Sequence, residues 1–354
     1  MRKKLRVGIL FGGRSGEHEV SLMSANSIVQ SIDRKKFAVT LVGITKHGEW
    51  LTGAEAAALL AGKPFKRKPK SLLPPAGALA ADVIFPVLHG TFGEDGTLQG
   101  LLEMAGVPYV GSGVLGSAVG MDKDTMKRLF ARAGLPIVPH ITLARDELKK
   151  ATTVTNSIEK ALRYPLFVKP ANLGSSVGIS KVHDRRELLP ALKLAASYDR
   201  KVIVEQGASR DGVKARELEV AVLGNGAPEA SVVGEIVPGK EFYDYEDKYL
   251  SEGAVPIIPA PLNKAQAAKV RQMAVEAFRA CELSGLARVD FLLDPETGTL
   301  FLNEVNTMPG FTKISMYPKL WQAAGIGYPA LITRLLELAL ERAQERAAVS
   351  YSRD

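Results

Sequence analysis

The chain has 354 residues, 46% hydrophobic and 24% charged, with one cysteine and a mean hydropathy of +0.03. That length carries two or three modest cores, and the composition excludes disordered and fibrous classes. A single thiol excludes an internal disulfide and a cysteine-based zinc site. No apolar run reaches the ~18 residues of a membrane span and no basic start leads into an apolar signal core, so a cytoplasmic protein without membrane contact is expected. The net charge of +8 is local: residues 1–70 hold 14 Lys and Arg against 5 Asp and Glu, and the remainder holds 32 against 33. Five of those cations lie in KPFKRKPK, Lys63 to Lys70, beside two prolines. Lacking interleaved aromatics and a reading helix, this stretch reads as a solvated loop, and no nucleic-acid partner is expected.

In chain order, LRVGILF (5–11), AVTLVGI (38–44) and DVIFPVLH (82–89) read as buried strands separated by helical patterns, which implies a parallel sheet with helices on its faces. From Asp122 the texture changes. DKDTMKRLFARAG is a short helix, and PLFVKP (165–170), GISKV (178–182) and VIVE (202–205) are strands, with a helix over 184–199. A third unit opens with ELEVAVL (217–223) and VVGEIV (232–237). A long tyrosine-rich loop over 238–261 follows and reads as a lid. The helix over 264–284 carries a stripe of Val270, Met273, Ala274, Ala277, Phe278 and Cys281, which makes Cys281 a core residue rather than a nucleophile. A last helix covers 328–349. The expected units are 1–112 (Rossmann-like, α/β), 113–204 and 205–354 (both α+β).

Two motifs mislead. GSGVLG (111–116) is a literal GxGxxG, but no acidic residue follows near the ribose position, so it reads as a turn. GEIVPGKE (234–241) has Glu241 where a P-loop needs Ser or Thr. Chemistry gathers elsewhere. ARVDFLLDPETGTLFLNEVN (287–306) reads as a hairpin, and pairing Leu293 with Thr299 puts Arg288, Asp290, Glu304 and Asn306 on one face. Two carboxylates and a carboxamide form an all-oxygen set suited to Mg²⁺ or Mn²⁺. In VKPANLGSSVGISKV (168–182), small residues including Gly174, Ser175 and Ser176 allow backbone N–H groups to approach a phosphate, and Lys169 and Lys123 supply charge for a nucleotide. GGRSGEHEVS (12–21) and HGTFGEDGTLQG (89–100) sit at the carboxyl ends of parallel strands, so both loops should meet at one crevice.

The ordered blocks GEHEVS, HGTFGEDGTLQG, MDK, VKP with GSSVG, YDYEDKY, ARVD and NEVNTMPG span nearly the whole chain. Together they resemble the D-alanine–D-alanine ligases of the ATP-grasp superfamily. The resemblance implies a three-domain ATP-grasp fold and ATP-dependent joining of two D-alanines through an acyl phosphate, for peptidoglycan precursors. It also implies two Mg²⁺ (or Mn²⁺) ions and a homodimer. The nearest alternative is a D-alanine–D-lactate or D-alanine–D-serine ligase. It further implies that Lys123 and Lys169 contact ATP phosphates, that Glu205, Gln206 and Ala208 form the adenine hinge, and that Glu217 takes the ribose. Gln206 stands where some relatives carry lysine. Asp290, Glu304 and Asn306 match metal ligands, Glu17 and His89 surround the first D-alanine, and Ser315 holds the carboxylate of the second. Ser175 and Tyr249 form a hydrogen-bonded triad with Glu17, Lys248 is a lid lysine on the transferred phosphate, and Arg288 with the Gly310 amide donates to the oxyanion.

Overall fold

The run LRVGILF is apolar at consecutive positions, which suits a strand covered on both faces. It forms β1 (Leu5–Gly12) in a computed structural model that describes residues 4–65, 71–237 and 255–350. Strand β1 lies parallel to β2 (Phe37–Ile44) and β4 (Val83–Pro86), while β3 (Trp50–Thr52) pairs antiparallel on the outer edge, giving the order β3-β2-β1-β4. Val7, Ile9 and Phe11 enter one core and Leu10 the other. Helices α1 (His18–Ser31) and α3 (Thr97–Met104) begin in the loops that leave β1 and β4, and α2 (Gly53–Leu60) follows β3. Of the basic stretch, residues 66–70 lie outside the described residues.

The segment 111–116 is not simply a turn. Helix α4 (Val114–Met121) opens inside it, and a Cβ on Gly116 would lie 2.7 Å from the Glu282 carbonyl oxygen. Small residues here serve close packing between chain segments. Helix α5 (Lys123–Arg132) follows at once, with Asp122 accepting from Thr125 N as its cap. The stretch after it, to which the sequence pattern assigned no element, forms β5 (His140–Ala144), a 3-10 turn (Arg145–Lys150) and α6 (Ala151–Ala161). Helix α6 is rich in threonine and short of strong helix formers, so its amphipathic packing, not propensity, settles it. Strands β6 (Leu166–Pro170), β7 (Ser180–Val182) and β8 (Lys201–Gln206) complete an antiparallel sheet in the order β5-β8-β6-β7. Helix α7 (Arg185–Tyr198), capped by Asp184, joins α6 in covering it.

The last sheet has the order β11-β10-β9-β12-β13, antiparallel throughout, from β9 (Arg216–Gly224), β10 (Glu229–Val237), β11 (Val255–Ile257), β12 (Gly285–Leu293) and β13 (Leu300–Asn306). Its one face packs on α8 (Lys264–Ala280), whose buried stripe runs from Val270 to Phe278 as the spacing predicts. Cys281 caps that helix with no exposure, and burial pushes its thiol up to about 12, the state of an inert core group. The other face packs on α9 (Met316–Ala323) and α10 (Tyr328–Ala347). Leu331 and Leu335 of α10 share one core with Val7, Ile9 and Phe85 of the first sheet and Leu223 and Leu286 of the last. Among the described residues no single helix is long and apolar enough to cross a membrane.

The hairpin register differs from the expected one. Leu293 pairs with Leu300, not Thr299, because Asp294 organises a wider turn, accepting from Thr297 Oγ1 at 2.6 Å and from Glu296 N at 3.1 Å. A bulge then leaves Asn303 unmatched and sets Asp290 opposite Glu304 and Arg288 opposite Asn306. All four still share a face. The stretch 209–216 is anchored to this turn, through Ser209 Oγ to Asp294 at 3.2 Å and Arg210 to Glu296 at 2.7 Å.

Candidate active site

A cleft lies between the middle sheet and the last one. Lys169, Ser176, Glu205, Gln206, Ala208 and Glu217 line it together with Arg288, Asp290 and Glu304, and Phe167, Ile179 and Leu292 add apolar walls. Lys169 and Glu205 come from the paired strands β6 and β8, with Nζ 2.6 Å from Oε2. The other oxygen of Glu205 forms an ion pair at 3.0 Å with Lys127, a residue of α5 that the sequence reading did not select. Burial alone would raise the Glu205 carboxyl, but Lys127 and Lys169 outweigh it and hold the group at about 2. Burial pulls Lys127 below the usual ammonium range despite Glu205; at Lys169 burial acts the same way, but Glu205 and Glu304 prevail and its pKa is raised. The Gln206 carboxamide oxygen accepts from Arg163 N at 3.0 Å, so that side chain is tied to the loop before β6.

The loop after β6 has an unusual backbone. Ser175 and Ser176 both hold positive φ, 53° and 58°, a conformation that L-residues with side chains rarely adopt and that turns successive N–H groups into a concavity. The Ser175 hydroxyl donates to Glu17 from the first unit. A Cβ on Gly174 would lie 3.2 Å from Glu17 Oε2, so glycine permits this approach. Lys123 Nζ donates to Leu173 O at 3.0 Å and stands 3.3 Å from Glu304 Oε2, between this loop and the hairpin.

The two loops of the first sheet do converge. Ser15 Oγ donates to His89 O at 2.6 Å and accepts from Glu17 N at 3.2 Å. His89 is buried, with Nδ1 2.9 Å from Met308 O and Nε2 3.1 Å from Ser24 Oγ. Burial opposes its charged form, but the Glu94 carboxylate 3.5 Å away, with Glu17 beyond, raises its pKa above the ordinary imidazole value. Burial in turn pushes Glu94 up. Glu17, His89, Lys123, Ser175, Asn306 and Gly310 line a small polar cavity that also includes Arg288 and Glu304, the two residues shared with the larger cleft. Ser315 flanks Gly310 and stands at the N-cap position of α9 without a side-chain cap bond; its Oγ lies 2.7 Å from Thr312 Oγ1. Lys248 and Tyr249 lie outside the described residues.

On the hairpin, the Arg288 guanidinium grips Asp290 through two bonds of 2.7 Å and approaches Glu219 at 3.3 Å. Asn306 Oδ1 accepts from Met308 N at 3.1 Å. Among the described residues no group of three or more His, Cys, Asp or Glu gathers as a metal cage. Asp290, Glu304 and Asn306 nevertheless fit a hard divalent ion, since all their donors are oxygen and the two carboxylates already attract cationic partners, Arg288 and Lys123. Lys127, Glu94 and Glu219 were missed in the sequence. Glu219 follows Glu217 by two on a strand and Lys127 follows Lys123 by four on a helix, spacings that share a face, and Glu94 lies inside HGTFGEDG.

Two antiparallel sheets closing on a cleft, lysines from one side and carboxylates from the other, define the ATP-grasp class. Family models described as D-ala D-ala ligase N-terminus and C-terminus match residues 6–112 and 129–337. A D-alanine–D-alanine ligase of Solibacter usitatus is 50% identical, over 99% of this chain and 100% of its own. The chain belongs to the D-alanine–D-alanine ligase family. Among solved structures, the D-alanine–D-alanine ligase of Coxiella burnetii superposes with a TM-score of 0.79 at 36% identity, covering 97% of this chain and 96% of that one. The VanG D-Ala:D-Ser ligase of Enterococcus faecalis reaches 0.81 at 35% identity, covering 95% and 100%.

Proposed function

We propose that the protein joins two D-alanines into D-alanyl-D-alanine with ATP as co-substrate, releasing ADP and phosphate, as a cytoplasmic step of peptidoglycan precursor synthesis. One observation carries this reading: the cleft between the middle and last sheets and the small polar cavity meet at Arg288 and Glu304. A γ-phosphate delivered from one would reach a carboxylate held in the other. Phe167, Ile179 and the hinge Glu205–Ala208 receive the adenine, Glu217 the ribose, and Lys123, Lys169 and the Gly174–Ser176 loop the phosphates. Glu17 and His89 hold the first D-alanine, whose carboxylate attacks the γ-phosphorus; the bond to ADP breaks and an acyl phosphate forms. The amine of the second D-alanine, its carboxylate at Ser315, then adds to the acyl carbon, and phosphate leaves. Arg288 and the Gly310 N–H face the oxyanion of that tetrahedral intermediate. When bound at Asp290, Glu304 and Asn306, divalent ions neutralise charge on the transferring phosphoryl group. Water must be kept from the acyl phosphate, the role we assign to residues 238–254 with Lys248 and Tyr249; the rest of the expected 238–261 loop is partly strand, since Val255–Ile257 form β11.

We propose three units, 1–112, 113–204 and 205–354, and self-association as a homodimer; sedimentation velocity tests the latter. The activity is tested by phosphate release coupled to product analysis, with Mg²⁺, ATP and a panel of D-alanine, D-serine and D-lactate. D-alanyl-D-alanine as the main product is expected. A depsipeptide or D-Ala–D-Ser product would instead assign the chain to the alternative ligases.

A further inference from the structure

The scheme above leaves one buried cation without a task. Lys127 is 1% exposed, against 8% for both Lys123 and Lys169, so solvation does not explain an ammonium there. It lies one helical turn beyond Lys123 on α5 and touches both halves of the cleft. Its Nζ is 3.0 Å from Glu205 Oε1 on the adenine hinge and donates at 3.0 Å to the carbonyl oxygen of Asn303. Asn303 is the unmatched residue of the β13 bulge, next to Glu304, so its carbonyl is freed from the ladder at the point where a lysine arrives. Glu205 is in turn shared, with Oε2 on Lys169 at 2.6 Å.

We propose that Lys127 is a positioning residue of the ligase reaction, spanning the nucleotide hinge and the carboxylate hairpin. By occupying Oε1 it fixes the rotamer of Glu205, so that Oε2 holds Lys169 at the phosphate end of the cleft. By anchoring Asn303 it sets the direction of Glu304. The distance between nucleotide phosphates and hairpin carboxylates is then fixed by one side chain that touches neither substrate. This rests on the reading of Lys169 as a phosphate contact and of Glu304 as a residue of the reacting centre. A neutral residue at 127 would leave the Glu205 carboxylate bound on one side only in a dry site, free to draw Lys169 out of position.

The test is a double-mutant cycle on the full-length enzyme, from Lys127→Met, Glu205→Gln and the pair of them, with Lys127→Gln as a variant that keeps a donor for Asn303 and loses only the charge. ATP KM, kcat and binding of ADP by calorimetry are measured, with circular-dichroism melts as the folding control. Lys127→Met is expected to weaken nucleotide binding roughly ten- to a hundredfold and to lower kcat about a hundredfold, the scale of one buried group left unpaired and of a small misplacement at the reacting atoms. In the Glu205→Gln background the same substitution should cost less than a tenth of that factor, because no carboxylate remains to be balanced. An equal loss in both backgrounds would overturn the proposal, since Lys127 would then act without Glu205. So would a folded Lys127→Gln enzyme with ATP KM and kcat within twofold of wild type. If Lys127→Met alone fails to fold, Lys127→Gln takes its place in all corners of the cycle and the same criterion applies. Wild-type enzyme that binds no ADP and forms no dipeptide would instead refute the functional reading, an outcome separate from an additive cycle in an active enzyme.

Discussion

Glu304 borders both cavities, directly opposite Asp290 and 3.3 Å from Lys123 Nζ. Glu304→Gln keeps its shape and removes its charge, so ligation should fall to background while the circular-dichroism spectrum is unchanged; near-normal Mg²⁺-dependent phosphate release would remove the hairpin from the site. Arg288 is held by Asp290 and Glu219, which orients its guanidinium without substrate. Arg288→Met should lower turnover roughly 10²–10³-fold, the usual cost of one oxyanion donor, with a much smaller change in ATP KM. Collapse of ATP binding with intact turnover at saturation would make Arg288 a nucleotide residue. The Glu205 carboxyl sits at about 2 against an ordinary 4.5. A lowered carboxyl contributes stability that is fully present above its ordinary value and is lost as pH falls toward the folded one. The difference in urea midpoint between wild type and Glu205→Gln should therefore be widest above about pH 5 and shrink steadily as pH is lowered toward about 3. A difference that stays constant across that range would contradict the ionised clamp.

At the scale of elements, the geometry of the candidate site depends on how helices and strands are begun and interrupted. Asp122 caps α5, accepting from Thr125 N at 2.9 Å and from Lys201 Nζ at 2.7 Å, and the next residue is Lys123. Asp122→Ala should cost about 1 kcal/mol of stability, a typical N-cap loss, and should raise ATP KM, because the first turn bearing Lys123 loses its anchor. Urea unfolding and steady-state kinetics read the two effects, and a stability loss with unchanged KM would separate the cap from the site. The shared face of Arg288, Asp290, Glu304 and Asn306 was legible because strand alternation has a period of two and the intervening Val289, Phe291, Leu302 and Val305 are buried core. The register was not legible. It was set by side-chain bonds of Asp294 and by the bulge at Asn303, which alternation does not encode.

At the scale of the molecule, α10 packs the first sheet and the last into one core, whereas the middle sheet has its own core around Leu188, Leu192 and Ile158. Two cooperative units are expected in calorimetry of the ligand-free enzyme. Leu335→Ala and Leu192→Ala should each cost about 2–5 kcal/mol, the range for a buried leucine, and each should lower a different transition. Equal shifts of every transition by either substitution would mean that the protein melts as one body. A middle unit tied to the rest mainly through ion pairs and the cleft also suits a site that must open for ATP and close on it.

The sequence by itself determined the class of the fold and most of the residue types that line the candidate site. Strand and helix periods are local properties, and residues such as Lys169, Ser175, Asp290 and Glu304 stand out as polar groups beside apolar runs or in small-residue loops. Only the tertiary structure decided which of them meet. Glu17 and Ser175 are 158 positions apart and share a hydrogen bond, and His89 reaches Met308 across 219 positions. It also decided that Lys127 is buried. An isolated lysine four residues after another on a helix has the pattern of a solvated face, and its value as an ion-pair partner depends on Glu205 and Asn303 from two other strands, contacts that no local period carries.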